Sequence, residues 1–321
     1  MAQTTRLFKS FSRLLLPVVI LLILAIVVAA VLLIHTASAP PQTNYLVTPE
    51  KYGQFSPRGA QVKEETWTNR DGTTARGWLL KGSETAPAVI LLHRYGADRS
   101  HVLDLAVKLN EATNFTVLMP DQRGHGLNPP VAASSLGGCE SDDALAAVDF
   151  LRSLKSGNQS NLVGQNIGFY GVEMGALAAL SAAAKDANVK AIALDSVPTG
   201  SSIILASAIE KRFPFASSVT SKIANLGTPL YFYNGCYRRD AACDVAKSVT
   251  DRHVLLLAGL DAPTLQDSTM KLSRCFPQTN KIETKTDLNP SGYGLTSASL
   301  EQSAAYDQRI IEFFKNALGN Q

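Results

Sequence analysis

Short apolar runs alternate with amphipathic segments along most of this 321-residue chain. Residues 86–93 form a compact apolar run, which is typical of a strand covered on both faces of a sheet. Residues 142–154 carry apolar side chains at helical spacing and predict an amphipathic helix. Segments 61–69 and 73–81 alternate around a short polar turn and predict a hairpin. The same patterns predict further strands at 115–120, 166–170, 189–194, 253–258 and 281–287, and helices at 98–110, 174–184, 265–272 and 304–317.

Strands that alternate with helices predict an α/β domain with a doubly wound, mostly parallel sheet and helices on both faces. Residues 61–321 have a suitable length for one such domain with a substantial core. Within it, residues 196–249 lack a strong period, and we interpret them as a cap- or lid-like insertion.

The N-terminal part of the chain has a different character. Residues 14–34 are uncharged and almost wholly apolar, and at about 1.5 Å per residue they can cross a hydrocarbon core of about 30 Å. Basic residues precede this run, without any acidic residue. The apolar run predicts a transmembrane helix at 14–34, followed by a linker at 35–60. The charge bias predicts that residues 1–13 are cytoplasmic and that the main domain is extracytoplasmic. In a Gram-negative source this domain would be periplasmic.

A cleaved signal peptide is the alternative, because residues 37–39 read Ala-Ser-Ala and resemble a small-residue cleavage site. However, the apolar run exceeds the about 7–15 residues that are usual in a signal peptide. Pro40 and Pro41 would also directly follow the cut. We therefore favour an uncleaved signal anchor, with the membrane as a partner.

The charge balance gives no indication of a nucleic-acid partner. The chain has 30 basic and 27 acidic residues. Three of the basic ones, Arg6, Lys9 and Arg13, precede the apolar run, so the rest of the chain is formally neutral. The cysteines are not spaced as zinc ligands, and we expect neither a metal nor a cofactor.

All four cysteines lie in the predicted extracytoplasmic part, where disulfides can form. Cys236 and Cys243 are close in sequence, in a segment rich in Tyr, Arg and Asp, and we expect a local bridge between them. Cys139 and Cys275 then either pair with each other or remain buried thiols.

One segment has the pattern of a nucleophile elbow. Residues 166–170 lead through Gly171-Val172-Glu173-Met174-Gly175 into a helix of small residues. Such a sharp strand-to-helix turn normally exposes a serine hydroxyl above a parallel sheet. Both glycines that allow the turn are present here, but its central residue is Glu173. Fold and function must therefore be inferred separately.

Four motifs at predicted strand ends resemble the α/β-hydrolase superfamily, in particular its single-domain serine esterases and peptidase-like hydrolases. Residues 93–100 resemble the family's His-Gly-x-Gly loop, and residues 121–126 its Asp-x-Arg-Gly-His-Gly loop. Residues 138–143 resemble the acidic segment before the next helix, and the elbow is the fourth match. The resemblance covers about residues 61–321 and implies the α/β-hydrolase fold, with a degenerate catalytic triad.

The family hydrolyses esters and amides with a nucleophile, an acid and a histidine, in this order along the chain. By resemblance these positions correspond to Glu173, Asp261 and Tyr293. A phenol with a reference pKa of about 10 is a poor general base near pH 7. No other histidine replaces the missing one: His253 is the last in the chain, and those at 93 and 125 belong to loop motifs that usually bond the backbone.

The oxyanion hole of the family uses backbone N–H groups, which by resemblance are those of Tyr95 and Met174. Arg94 replaces a glycine of the loop motif. Because positions 94 and 173 border one pocket in the family, we hypothesise an ion pair between Arg94 and Glu173. Such a pair would fill the place of a substrate carbonyl and offset the cost of a partly buried charge.

Loss of the nucleophile or the histidine of a serine protease costs about 10⁶ in turnover, so we expect no ordinary serine hydrolase activity. Our main hypothesis is a pseudo-hydrolase that binds a small molecule, peptide or protein through the old pocket or the cap. The alternative is an atypical carboxylesterase- or peptidase-like hydrolase that uses Glu173 and Asp261. A scaffold for assembly at the membrane is a third hypothesis, which predicts a closed pocket.

Overall fold

The computed structural model of the protein describes residues 2–42, 44–238 and 241–319. Ten α-helices and eight strands lie within these ranges. The strands are β1 (Lys63–Thr68), β2 (Thr74–Leu80), β3 (Ala86–Leu92), β4 (Thr116–Pro120), β5 (Val163–Val172), β6 (Val189–Asp195), β7 (His253–Gly259) and β8 (Lys281–Leu288). The helices are α1 (Ala2–Ser38), α2 (Pro49–Tyr52), α3 (Leu103–Thr113), α4 (Glu140–Ser153), α5 (Met174–Lys185), α6 (Ser201–Arg212), α7 (Ser217–Tyr231), α8 (Ala242–Ala246), α9 (Pro263–Leu272) and α10 (Leu300–Leu318).

The strands form one sheet in the order β1-β2-β4-β3-β5-β6-β7-β8. The two pairs that include β2 are antiparallel, and the other five pairs are parallel. Side chains alternate between the two faces of a strand, so that Ile90 of β3 belongs to one buried core with α4 and α5, and Leu91 to another with α3 and α10. The predicted doubly wound, mostly parallel sheet and its N-terminal hairpin are confirmed.

The poorly patterned segment 196–249 is largely helical, since it contains α6, α7 and α8. Gly227 and Pro229 lie inside α7, and both residue types have low helix propensity, which explains why the sequence pattern does not indicate this helix. Helices α6 and α7 pack on each other and on α1. The packing of α7 on α1 compensates for its weak propensity, because Gly227 permits close approach to Ala30 and Ile34.

Helix α1 extends four residues beyond the predicted span of 14–34 and ends at Ser38. Its segment Leu15–Ser38 is apolar and long enough to cross a membrane. The predicted cytoplasmic segment 1–13 begins outside the described residues, at Met1, and its orientation stays a prediction.

The predicted linker, residues 35–60, is attached to the sheet domain at several points. The hydroxyl of Tyr45 donates to Asp121 Oδ2 over 2.9 Å and accepts from the guanidinium of Arg99. The hydroxyl of Tyr52 donates to the carboxylate of Asp104 on α3. These contacts order the segment that joins α1 to the sheet.

Two disulfides correct the predicted bridge between Cys236 and Cys243. Cys139 pairs with Cys236, with 4.8 Å between their Cα atoms, and Cys243 pairs with Cys275 at 5.3 Å. The fold brings Cys236, which follows α7, to the start of α4, whereas Cys243 lies in α8 beside the end of α9. Proximity in sequence was therefore a poor guide, because each cysteine of the local pair meets a distant segment.

Candidate active site

The turn between β5 and α5 has the geometry of a nucleophile elbow with glutamate at its centre. Glu173 has φ 50° and ψ −106°, a strained conformation that costs of the order of 1–3 kcal/mol. The glycines on either side let the turn close. A Cβ at Gly171 would overlap the backbone of Gly175, and one at Gly175 would overlap the carbonyl of Leu92.

The carboxylate of Glu173 binds the backbone donors that the resemblance assigns to the oxyanion hole. The N–H of Tyr95 donates to Glu173 Oε2 over 2.9 Å, and the backbone of Met174 also stabilises the charged form of this carboxyl. The glutamate is only 5% exposed. A side chain of the protein thus binds the donor that the resemblance assigns to a substrate oxygen.

Burial raises the pKa of the Glu173 carboxyl above its ordinary value. The hydrogen bond from the Tyr95 N–H and the charges of Arg94 and Lys211 act in the opposite direction but do not cancel this effect. Native protein therefore binds a proton at Glu173 more tightly than the unfolded chain does.

From this raised pKa we predict that Glu173→Gln removes a pH-dependent loss of stability. An acid with a raised native pKa destabilises the fold progressively as pH rises from the unfolded pKa to the native pKa. The free energy of unfolding of Glu173→Gln relative to the wild type should therefore increase across this window. The expected increase is about 1.4 kcal/mol for each pH unit that separates the native pKa from the unfolded pKa. Urea unfolding of the full chain in detergent, at a series of pH values, measures the difference.

The exposed Glu84 provides the matched control, because Glu84→Gln makes the same chemical change at the surface of the domain. Wild-type and Glu173→Gln curves that stay parallel from pH 4 upwards would contradict the predicted linkage.

The hypothesised ion pair between Arg94 and Glu173 is not formed. The guanidinium of Arg94 lies over the ring of Tyr293, with 5.2 Å between Cζ and the ring centroid, and Nη1 donates to the carbonyl of Tyr95 over 3.2 Å. Arg94 favours the charged form of Glu173 only at longer range. Backbone N–H groups take the place of the predicted cation, because the loop aims the amide of Tyr95 at the elbow.

The predicted acid and histidine positions meet in space. Asp261 follows β7, and its carboxylate accepts from the N–H of Ser291 over 2.9 Å and from the Ser291 hydroxyl over 3.0 Å. The N–H of Tyr293 lies 3.3 Å from Ser291 Oγ. Asp261 therefore holds the backbone of the loop that carries Tyr293.

Neither buried histidine near the elbow is available as a base. His93 Nε2 accepts from the N–H of Gln122 over 3.1 Å, and His125 Nε2 accepts from the N–H of Gly96 over 3.0 Å. The Nδ1 atom of each ring is paired with a backbone carbonyl at 2.9 Å. Burial lowers the pKa of His93 to about 4 and that of His125 to about 3. The prediction that both rings bond the backbone is confirmed.

A buried hydrogen-bond network below the elbow was missed from the sequence. Asp195 ends β6 and accepts from the hydroxyls of Ser196 and Tyr306 over 2.6 and 2.7 Å. It also accepts from the N–H of Gly292 over 3.0 Å, so a second acid holds the Tyr293 loop. The only signal for Asp195 in the sequence is its place directly after a predicted buried strand.

The C-terminal end of α1 covers the elbow from outside. The hydroxyl of Tyr95 donates to the carbonyl of Ala37 over 2.6 Å, and the N–H of Ser134 donates to the carbonyl of Ser38 over 2.7 Å. Ala37 and Ser38 are buried, as is Glu173. The residue whose amide binds Glu173 is therefore also attached to the apolar helix.

A cavity of about 230 Å³ remains beside the covered elbow. The cavity wall combines apolar side chains with several polar ones, which are those of Arg94, Ser100, His101, Asp104, Tyr293, Thr296, Ser303 and Asp307. Among the residues that the structure describes, no group of three His, Cys, Asp or Glu side chains could hold a metal ion.

Several solved hydrolase structures are similar to this chain. An esterase of Pyrococcus furiosus is 20% identical with a TM-score of 0.65, over 87% of this chain and 98% of the esterase. This chain has the α/β-hydrolase fold. A dienelactone hydrolase of Anabaena variabilis is 14% identical with a TM-score of 0.53, over 80% of this chain and 99% of that one. An acylaminoacyl peptidase of Pyrococcus horikoshii is 17% identical with a TM-score of 0.57, over 80% and 42% of the two chains.

A curated relative of this α/β-hydrolase-fold protein matches over a shorter range. A thiohydrolase of Eupenicillium brefeldianum is 29% identical over 117 residues, which are 36% of this chain and 36% of the thiohydrolase. The match thus spans about a third of that relative. No protein-family model matches the chain.

Proposed function

We propose that this protein is a membrane-anchored, non-catalytic member of the α/β-hydrolase superfamily, with its main domain outside the cytoplasm, which acts by binding. The observation that carries the proposal is the hydrogen bond from the Tyr95 N–H to the Glu173 carboxylate, 2.9 Å long. Glu173, at the position that the resemblance assigns to the nucleophile, therefore also accepts a hydrogen bond from a predicted oxyanion donor.

The same bond disfavours the alternative of an atypical hydrolase. A carboxylate nucleophile must be free to face the substrate, and the donors must be free to bind the substrate's oxygen. Here Glu173 is bound by one of these donors. The second carboxylate of the alternative, Asp261, is bound by Ser291.

Ligand recognition is assigned in this proposal to the cavity of about 230 Å³ beside Arg94 and Tyr293. Apolar walls with convergent polar groups are typical of small-molecule sites, and the basic and acidic side chains of this wall suit a polar small molecule. The third hypothesis, an assembly scaffold, predicts a closed pocket. The buried Glu173 agrees with that prediction at the elbow, whereas the cavity beside Arg94 does not.

The test is hydrolysis by the full chain in detergent. Wild type and Glu173→Gln should both hydrolyse p-nitrophenyl acetate no faster than buffer, and a fluorophosphonate probe should label neither. Wild-type esterase activity that disappears in Glu173→Gln would show an enzyme and end the proposal.

A further inference from the structure

We propose that the α6–α7 hairpin of the cap enters the outer leaflet of the bilayer beside α1, so that the membrane is a binding surface of the domain as well as its attachment. The inference rests on the proposed membrane anchor and extends it. The part of the apolar helix that the domain leaves free is shorter than the hydrocarbon core of a bilayer is thick.

Between Arg13 and the residues that the domain buries, the apolar part of α1 is too short to cross a hydrocarbon core alone. Residues 15–28 are all exposed, and burial against the domain begins at the next two positions. At 1.5 Å per residue these fourteen positions rise about 21 Å, whereas the hydrocarbon core is about 30 Å thick. About 9 Å of the core must therefore be crossed by the next six residues, 29–34, which complete the apolar run.

Two of those six residues, Ala30 and Ile34, lie against α7. A Cβ placed on Gly227 would lie 2.7 Å from Ala30 Cβ and 3.1 Å from Ile34 Cδ1. Close by, the Tyr231 hydroxyl is 3.1 Å from Nδ1 of His35. If residues 29–34 lie within the hydrocarbon core, α7 around Gly227 lies at the same depth.

The outer face of α7 carries large apolar side chains around Gly227, and the exposed Lys222 and Asn225 precede them. Leu226 and Leu230 are close neighbours of Gly227 and are 76% and 57% exposed, and Val219 lies further along the helix at 60%. Fully burying one such side chain is worth about 1.5–3 kcal/mol. Exposure of these side chains to water costs free energy. In contact with acyl chains, they would instead extend the apolar surface of α1.

The turn between α6 and α7 has the composition of a membrane interface. Phe213 and Phe215 are exposed, the second of them completely, and Lys211 and Arg212 directly precede them. In interfacial segments phenylalanine rings enter the boundary between headgroups and acyl chains, while lysine and arginine side chains bind the headgroups.

Fluorescence quenching in nanodiscs tests this placement. Full-length Leu226→Trp is compared in phosphatidylcholine and in phosphatidylcholine brominated in its acyl chains, after subtraction of the parent chain, whose Trp67 and Trp78 are buried. We expect the added emission to fall by about half or more in the brominated lipid, because residue 226 would lie inside the core of about 30 Å. Leu230→Trp should give the same result, which guards against a local effect of one substitution.

Two further variants separate the inference from the proposal on which it rests. Ile23→Trp, in the exposed part of α1, should be quenched if α1 is in the bilayer. Phe55→Trp replaces an aromatic residue that is 88% exposed. Phe55 lies beside the C-terminal end of α3, which leads into β4. It is therefore at the sheet edge opposite the elbow. This variant should keep its emission.

Quenching of Leu226→Trp and Ile23→Trp but not of Phe55→Trp supports the inference. Quenching of Ile23→Trp alone overturns it and leaves the membrane anchor intact. If Ile23→Trp also keeps its emission, the anchor itself is wrong and the inference is wrong with it.

Discussion

A Glu173→Ser/Tyr293→His double variant should gain reactivity towards p-nitrophenyl acetate and a fluorophosphonate probe, whereas Glu173→Ser alone should not. Serine at this position would have the elbow geometry, φ 50° and ψ −106°, and would free the N–H of Tyr95 to bind an oxyanion. It would lack a base, because both rings nearby, His93 and His125, are neutral and bonded to the backbone.

A histidine at position 293 would supply that base from a loop already held by Asp261 and Asp195. General-base catalysis contributes about 10²–10⁴-fold, and we expect a gain of this order of the double variant over Glu173→Ser. Glu173→Ser/Tyr293→Phe is the matched control, since it changes the same position without adding a base. Equal rates for the double variant and this control would contradict the assignment of Tyr293 to the histidine position.

Removal of the Cys139–Cys236 disulfide should give the largest loss of stability among single cross-links. The bridge closes a loop with a sequence separation of 97, against 32 for Cys243–Cys275. In the chain-entropy model, loops of these sizes contribute about 4.7 and 3.7 kcal/mol. Urea unfolding of Cys139→Ala/Cys236→Ala and of Cys243→Ala/Cys275→Ala measures both losses.

The first pair also joins the cap to the segment before α4, and the two segments touch closely: a Cβ at Gly138 would overlap the carbonyl of Cys236. We therefore expect protease cleavage within α6 or α7 to accelerate in Cys139→Ala/Cys236→Ala and to change less in the second double variant. A greater loss of stability without Cys243–Cys275 than without Cys139–Cys236 would show that loop size does not govern the order.

Much of the fold could be predicted because the relevant signals are local. The apolar run at 86–93 and the stripe at 142–154 appear as β3 and α4, since burial on both faces of a sheet or on one face of a helix fixes the pattern of apolar residues. The cap was the exception. Its helix α7 contains Gly227 and Pro229, and its packing on α1 and α6 explains why a helix forms there.

The predicted catalytic positions depend on chain order, and they stay a prediction, although the structure does bring Asp261 to the loop that carries Tyr293. The elbow is recognisable from Gly171 and Gly175 alone, because a tight turn requires those glycines. Asp261 and Tyr293 could be placed because each follows a predicted strand, and parallel strands end at a common edge. The predicted partner of Glu173, by contrast, was wrong, since side-chain contacts between loops depend on where each backbone amide points.

The sequence by itself determined that this chain forms a mostly parallel α/β sheet with a sharp turn at Glu173. By resemblance it also predicts that Glu173 and Tyr293 stand where α/β-hydrolases have their serine and histidine. Only the tertiary structure decided that the Glu173 carboxylate binds the N–H of Tyr95, and that the Tyr95 hydroxyl binds Ala37 of the apolar helix. The same holds for the pairing of Cys139 with Cys236. Each of these contacts joins residues far apart in the chain. Local periodicity carries no information about such pairs, because their meeting depends on the path of the whole folded backbone.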